Sequence, residues 1–287
     1  MALTYSAFRD EKQFFAHEGM QIAYLERGNP DSPLILMIHG WISHSGIWDT
    51  TLNALKDRYH VVAIDLLGHG HSDKPTDGDY SIDAQAERVI ALADHLGADQ
   101  FIVIGHSMGG QIALYLAVHF ADRIARVIDV SGVATGELSA YNRIMIAPIF
   151  LLASRFPKIW DFSRWAMKFR LYRAYYDYAL NYDFWNASTL DANREMALIP
   201  GIEIPAWRDL VEIARVNLIG EMSSIRVPVL ILFGRNDRTV PLFNGEIAHE
   251  QIENSRLVIL EQCGHVPMVE QPDKYLHAIE AFLNDAP

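Results

Sequence analysis

Cysteine is almost absent from this sequence. Cys263 stands alone, so no disulfide can form within the chain and a secreted disulfide framework is excluded. Positive charge is scarce as well: 24 Lys and Arg against 36 Asp and Glu leave a formal charge of −12. That balance lacks the basic footprint a nucleic-acid phosphate backbone demands, and it disfavours an anionic membrane surface. No apolar run reaches the roughly 18 residues a membrane helix needs, so no stable membrane insertion is expected. The opening MALTYSAFRDEKQFF shows no basic stretch followed by an apolar core and a cleavage site. The expected location is therefore the cytoplasm, and Asn186-Ala187-Ser188, which fits the glycosylation spacing, reads as chance. No Gly-rich phosphate loop beside a lysine, no zinc-ligand spacing and no dinucleotide fingerprint appears, so neither a cofactor nor a metal is expected.

What is present is an alternation of short apolar runs with amphipathic stretches of helix length, the signature of βαβ units and a mostly parallel sheet. Leu34 to Ile38, Val61 to Ile64, Phe101 to Ile104 and Arg126 to Val130 read as buried strands, and the pattern resumes at Val227 and Leu257. A helix is expected between Ser81, a suitable N-cap, and Gly97, a suitable stop. Another follows GHSMGG through Phe120, and a third begins near Pro272. Residues 133–219 break the alternation, with no convincing strand, four prolines as punctuation and 15 of the chain's 31 aromatics. This segment is read as a helical cap, and residues 1–132 with 220–287 as one α/β core. The rings of the cap, Trp160, Trp165, Phe169, Tyr172 and Tyr176 among them, are expected to bury against one another and to roof an apolar pocket.

Gly105-His106-Ser107-Met108-Gly109 fits G-x-S-x-G in the setting that motif requires, a strand before and a helix after. The turn is tight enough that its flanking residues must lack bulk, and it lifts the serine hydroxyl to a helix N-terminus, where developing negative charge is favoured. A serine hydroxyl needs a base to accept its proton. Two further loops after apolar strands supply one, together with an acid to orient it, in the order Ser…Asp…His. Asp237 lies in GRNDRTVP and His265 in CGHVPMVEQP. The rival acid is Asp129, within the strand RVIDV. An oxyanion needs two preorganised donors, expected from the backbone N–H of Met108 and of Trp41.

Together HGW at 39–41, DLLGHGHSD at 65–73, GHSMGG at 105–110, GRNDRTVP at 234–241 and GHVPMVEQP at 264–272 resemble the α/β-hydrolase superfamily. The closest likeness is to its soluble capped members, which include carboxylesterases and C–C bond hydrolases. That resemblance implies a mostly parallel sheet flanked by helices, with the cap inserted after the sixth strand. It also implies a carboxylesterase-like serine hydrolase acting through an acyl-enzyme on small to medium apolar esters, as monomer or homodimer. A C–C bond hydrolase of the meta-cleavage-product type, or a low-turnover binding protein, are the alternatives. The first usually follows its histidine with tryptophan, where this chain has Val266. A serine nucleophile disfavours epoxide hydrolases and haloalkane dehalogenases, which attack through aspartate.

The remaining polar residues take plainer roles. His106 packs beside the elbow, His39 steadies the loop before Trp41, and His44 lines the pocket or faces water. Asp65 forms a turn, His69 and His71 belong to a solvated loop, Arg238 makes a surface pair, and Cys263 fills core.

Overall fold

A five-residue run with no polar side chain can be satisfied only in the middle of a sheet covered on both faces. The computed structural model, which describes residues 5–166, 169, 195 and 199–285, puts Leu34–Ile38 (β3) there, buried throughout. The chain contributes β1 (Gln13–His17), β2 (Met20–Arg27), β4 (His60–Ile64), β5 (Phe101–His106), β6 (Ile124–Val130), β7 (Val229–Gly234) and β8 (Ser255–Leu260). They form one eight-stranded sheet in the order β1-β2-β4-β3-β5-β6-β7-β8. β3 to β8 pair in parallel, while β2 pairs antiparallel with both β1 and β4.

Successive residues of each central strand serve opposite faces. Leu34, Leu36, Ile38, Val103 and Ile231 join one core cluster, which α2 (Ile82–His95) and α3 (Met108–His119) cover. Ile35, Met37, Ile104 and Leu232 join the other, beneath α1 (Asp49–Leu55). The expected start and stop of α2 hold: Ser81 Oγ accepts the Ala84 N–H at 3.3 Å, and Gly97, past its end, takes φ +74°. The β1–β2 hairpin was not foreseen; with it, the strand ending at Val130 becomes the sixth, and the insertion follows it.

Among the described residues of 133–219 there is no strand. α4 (Ala147–Arg155), α5 (Pro157–Ala166) and α6 (Glu203–Arg215) carry the segment before α7 (Phe243–Gln251) and the C-terminal α8 (Pro272–Asn284). Hydrogen bonds tie α6 to the core along its length. Ala206 O accepts from Trp41 Nε1 at 2.8 Å, Val216 O just past its end accepts from Gln111 Nε2 at 2.8 Å, and Arg208 donates to Gly78 O at 2.6 Å. Ile146, Phe150 and Ala153 of the α4 region pack on Ile202, Ala206 and Leu210. The expectation that the aromatic residues bury is corrected for two of them: Trp165 is 51% exposed and Phe169 52%. Their i, i+3, i+4 spacing fits a helix face, but that face has water on it. Tyr172, Tyr176 and Asn186-Ala187-Ser188 lie outside the described residues, as does the side chain of Trp160.

Candidate active site

β3, β5, β6, β7 and β8 are adjacent and parallel and end on one edge of the sheet, and the carboxyl-end loops of β3, β5, β7 and β8 carry the residues of interest, where open α/β sheets place their ligands. β5 runs into Ser107, which sits at φ +57°, ψ −117°, a conformation sparsely populated for any residue but glycine. Backbone bonds pin it there: its N–H donates to Val130 O at 2.9 Å, and its carbonyl accepts the Gln111 N–H at 3.1 Å. The two motif glycines are sterically obligatory. A Cβ on Gly105 would fall 2.0 Å from Gly109 O, and one on Gly109 would fall 2.2 Å from Ile38 O. Neither contact can relax, because each involves backbone of a central element.

Met108 opens α3, so its N–H is among those with no acceptor inside the helix. The β3 loop approaches from the other side. A Cβ on Gly40 would lie 2.9 Å from Ser107 Cβ, so Trp41 follows directly on a residue in contact with the serine. His39 fixes this loop through both ring nitrogens, with Nδ1 on Gly40 O at 2.7 Å and Nε2 accepting the Leu66 N–H at 3.0 Å. Burial lowers its pKa to about 4, so the ring is neutral and its proton sits on Nδ1. Ile42, next along, holds φ +46°, strained for a β-branched residue.

The base and acid expected from sequence are brought together. His265 Nδ1 lies 2.8 Å from Asp237 Oδ2, and the Asp237 side chain is fully shielded. Asp237 Oδ1 accepts the N–H groups of Thr239 and Val240 at 2.9 and 2.8 Å, so this carboxylate has hydrogen-bonded oxygens on both sides. His265 is joined to the elbow through His106, whose Nε2–H donates to His265 O at 2.8 Å and whose ring centroid lies 4.7 Å from the His265 ring. Burial holds His106 well below the ordinary histidine range, leaving a neutral donor. Asp129, the rival acid, sits buried within β6 opposite Gly105, and the acid hydrogen-bonded to His265 is Asp237. Burial raises Asp129 to about 7, with the Gly132 N–H pulling the other way.

Several contributors escaped the sequence. Glu270 straddles the histidine, accepting the Gly264 N–H at 2.7 Å and the Val266 N–H at 2.9 Å. A buried ion pair, Lys12 Nζ to Asp65 Oδ2 at 2.7 Å, anchors the chain before β1, with Asp65 also accepting the Ser45 and His71 N–H groups. His69 does not belong to a solvated loop. It is fully buried with Nε2 3.3 Å from Asp209 Oδ2 on α6, and burial pushes the histidine down and the aspartate up, so the pair is neutral. His44 is buried too, accepting the Gly46 N–H through Nδ1 at 3.1 Å, and Cys263 lies in the core as expected. No group of three or more His, Cys, Asp or Glu side chains that could hold a metal occurs among the described residues.

Residues 33–272 match the family described as the alpha/beta hydrolase fold. The chain belongs to this family. An uncharacterised protein of Mycobacterium tuberculosis is 30% identical over 285 residues, covering 95% of this chain and 81% of that one. A pimeloyl-[acyl-carrier protein] methyl ester esterase of Nitrosomonas europaea is 24% identical over 264 residues, 88% of this chain and 96% of the other. Among solved structures, a membrane phospholipase A described as a bacterial virulence factor is 26% identical, with a TM-score of 0.77 over 98% of this chain and 90% of that one. An esterase from a Rhodococcus species superposes with a TM-score of 0.78 at 23% identity, over 96% of this α/β hydrolase and the whole of the other chain. Among the described residues, no helix of this hydrolase is long and apolar enough to cross a membrane.

Proposed function

We propose that this α/β hydrolase is a serine esterase that cleaves carboxylic esters of small to medium apolar substrates. Ser107 is the nucleophile, His265 the base and Asp237 the acid that orients it. The observation that carries this is the 2.8 Å contact between His265 Nδ1 and Asp237 Oδ2, on loops flanking a strained Ser107. Because Asp237 holds the proton on Nδ1, Nε2 is left as the acceptor that serine activation needs. Ser107 Oγ attacks the ester carbonyl carbon as its proton passes to His265. The oxyanion accepts from the Met108 and Trp41 N–H groups, and the alcohol leaves with the proton from His265. Water, activated by the same histidine, then releases the acid and restores Ser107. Helices of residues 133–219 act as a cap over this edge, with Trp41 hydrogen-bonded to α6 as the hinge between loop and cap. The ester-cleaving relatives named above support the bond type. Val266, buried directly after the histidine, supports ester over C–C cleavage.

A series of p-nitrophenyl esters, from acetate to long acyl chains, tests the reading. Turnover should peak at short to medium chains and be lost in Ser107→Ala. Negligible turnover by folded protein across the whole series would contradict it.

A further inference from the structure

The outer side of α4 and α5 has no counterpart among the described residues. α4 is largely apolar, APIFLLASR, yet among the described residues its contacts with the rest of the fold run through the buried Phe150 and Ala153 and the partly buried Ala147, with Ile146 just before it. A helix with this composition is ordinarily buried on every side. Here Ile144, Ile149, Leu151 and Leu152 face solvent, and the surface continues along Phe156, Ile159, Phe162 and Trp165, each three residues after the last. Phe162, Trp165 and Phe169 form a chain of ring contacts at 5.6 and 4.9 Å, so the exposed rings are contiguous. Soluble monomers rarely leave so long an apolar surface uncovered without a partner.

The charge around it says which partner. From Tyr141 to Ala166 the sequence holds four cations against one acid, Asp161, in a chain whose formal charge is −12. Arg143, Arg155 and Lys158 are exposed beside the apolar residues. Aromatic and aliphatic side chains edged by Arg and Lys are the composition of helices that lie in the headgroup region of a bilayer. The acids elsewhere do not cancel this locally, because at physiological ionic strength charge is screened beyond about 8 Å. A two-fold dimer through this face would set its cations near their own images, so a second copy fits worse.

We propose that the outer face of α4 and α5 is a docking surface for an anionic phospholipid bilayer. The aliphatic and aromatic side chains enter the acyl boundary, and Arg143, Arg155 and Lys158 meet lipid phosphates. The chain lies on the membrane and does not span it. The proposal does not depend on the esterase reading, since it concerns a surface outside the residues assigned to catalysis.

Co-sedimentation of the purified full chain with phosphatidylcholine vesicles, with and without phosphatidylglycerol, tests it. Binding should require phosphatidylglycerol and weaken with added salt. The double variant Arg155→Glu/Lys158→Glu should lower the partition coefficient on the order of 25-fold or more, at about fivefold for each cation lost. Phe162→Ser/Trp165→Ser should lower it by at least about tenfold while leaving the thermal midpoint unchanged, which separates lost docking from lost folding. Absence of binding to either vesicle would overturn the proposal. So would binding that charge reversal does not change, or concentration-dependent self-association through this face without vesicle binding.

Discussion

The strand-end rim and the outer α4–α5 face are built on opposite terms. At the rim, positions are dictated from inside. Gly105 and Gly109 abut backbone, Ser107 is held at positive φ by bonds to β6 and α3, and Asp237, His265, His106 and Glu270 are tied by bonds of 2.7–2.9 Å. On the outer face nothing within the described chain explains the residues, because Phe162 is 61% exposed and Ile144 69%. The lesson is that a residue's type is constrained wherever its partner is covalently part of the same molecule. Where the partner lies outside, the same apolar composition is left without an internal reason.

If that contrast is right, substitutions at the rim should be costly and those on the outer face nearly free. The largest effect belongs to Ser107→Ala, expected to reduce kcat by on the order of 10⁶ without loss of fold, as steady-state kinetics and circular dichroism would show. Asp237→Asn should cost on the order of 10⁴ in kcat, since the amide favours the wrong histidine tautomer. If Asp129→Asn proved the more damaging to turnover, the acid would be misassigned. Gly105→Ala should destabilise by several kcal/mol, on the order of other backbone-clash substitutions, and urea unfolding reads it directly. A fully tolerated alanine there would break the claim that backbone dictates this turn.

Asp129→Asn sharpens the comparison through pH. A carboxyl raised in the folded state, from 3.8 to about 7, makes the native fold hold a proton the unfolded chain gives up. Its stability is therefore present below pH 3.8 and lost as pH rises to about 7. The asparagine variant lacks this loss, so its unfolding free energy relative to wild type, read by urea unfolding, should climb across that window and then level, the total change being on the order of a few kcal/mol. A difference independent of pH would contradict the assignment. The smallest effect is at the outer face: Phe162→Ser should change stability by no more than about 0.5 kcal/mol.

The same contrast explains what could be read from sequence. The elbow, its strand, its helix and the two later strand-end loops were legible because each imposes a residue type: glycine where backbone approaches, aspartate and histidine in fixed chain order. The β1–β2 hairpin was not, because Gln13–His17 is an edge strand with one buried residue and no apolar run. His69 looked like a loop histidine because its partner, Asp209, lies on α6 far along the chain. Lys12 and Glu270 carry no local pattern, since their value comes from where the fold places Asp65 and the His265 loop. Of the insertion, helical character was readable from prolines and spacing, but which rings face inward was not. Trp165 and Phe169 fit a buried stripe as well as an exposed one.

The claim that Ser107 is an activated nucleophile is tested most directly by covalent trapping. A fluorophosphonate should label the chain at a single site that peptide mass spectrometry places on Ser107, and His265→Ala should slow that labelling severely. No adduct on folded protein, an adduct on another residue, or labelling indifferent to His265 would contradict the account.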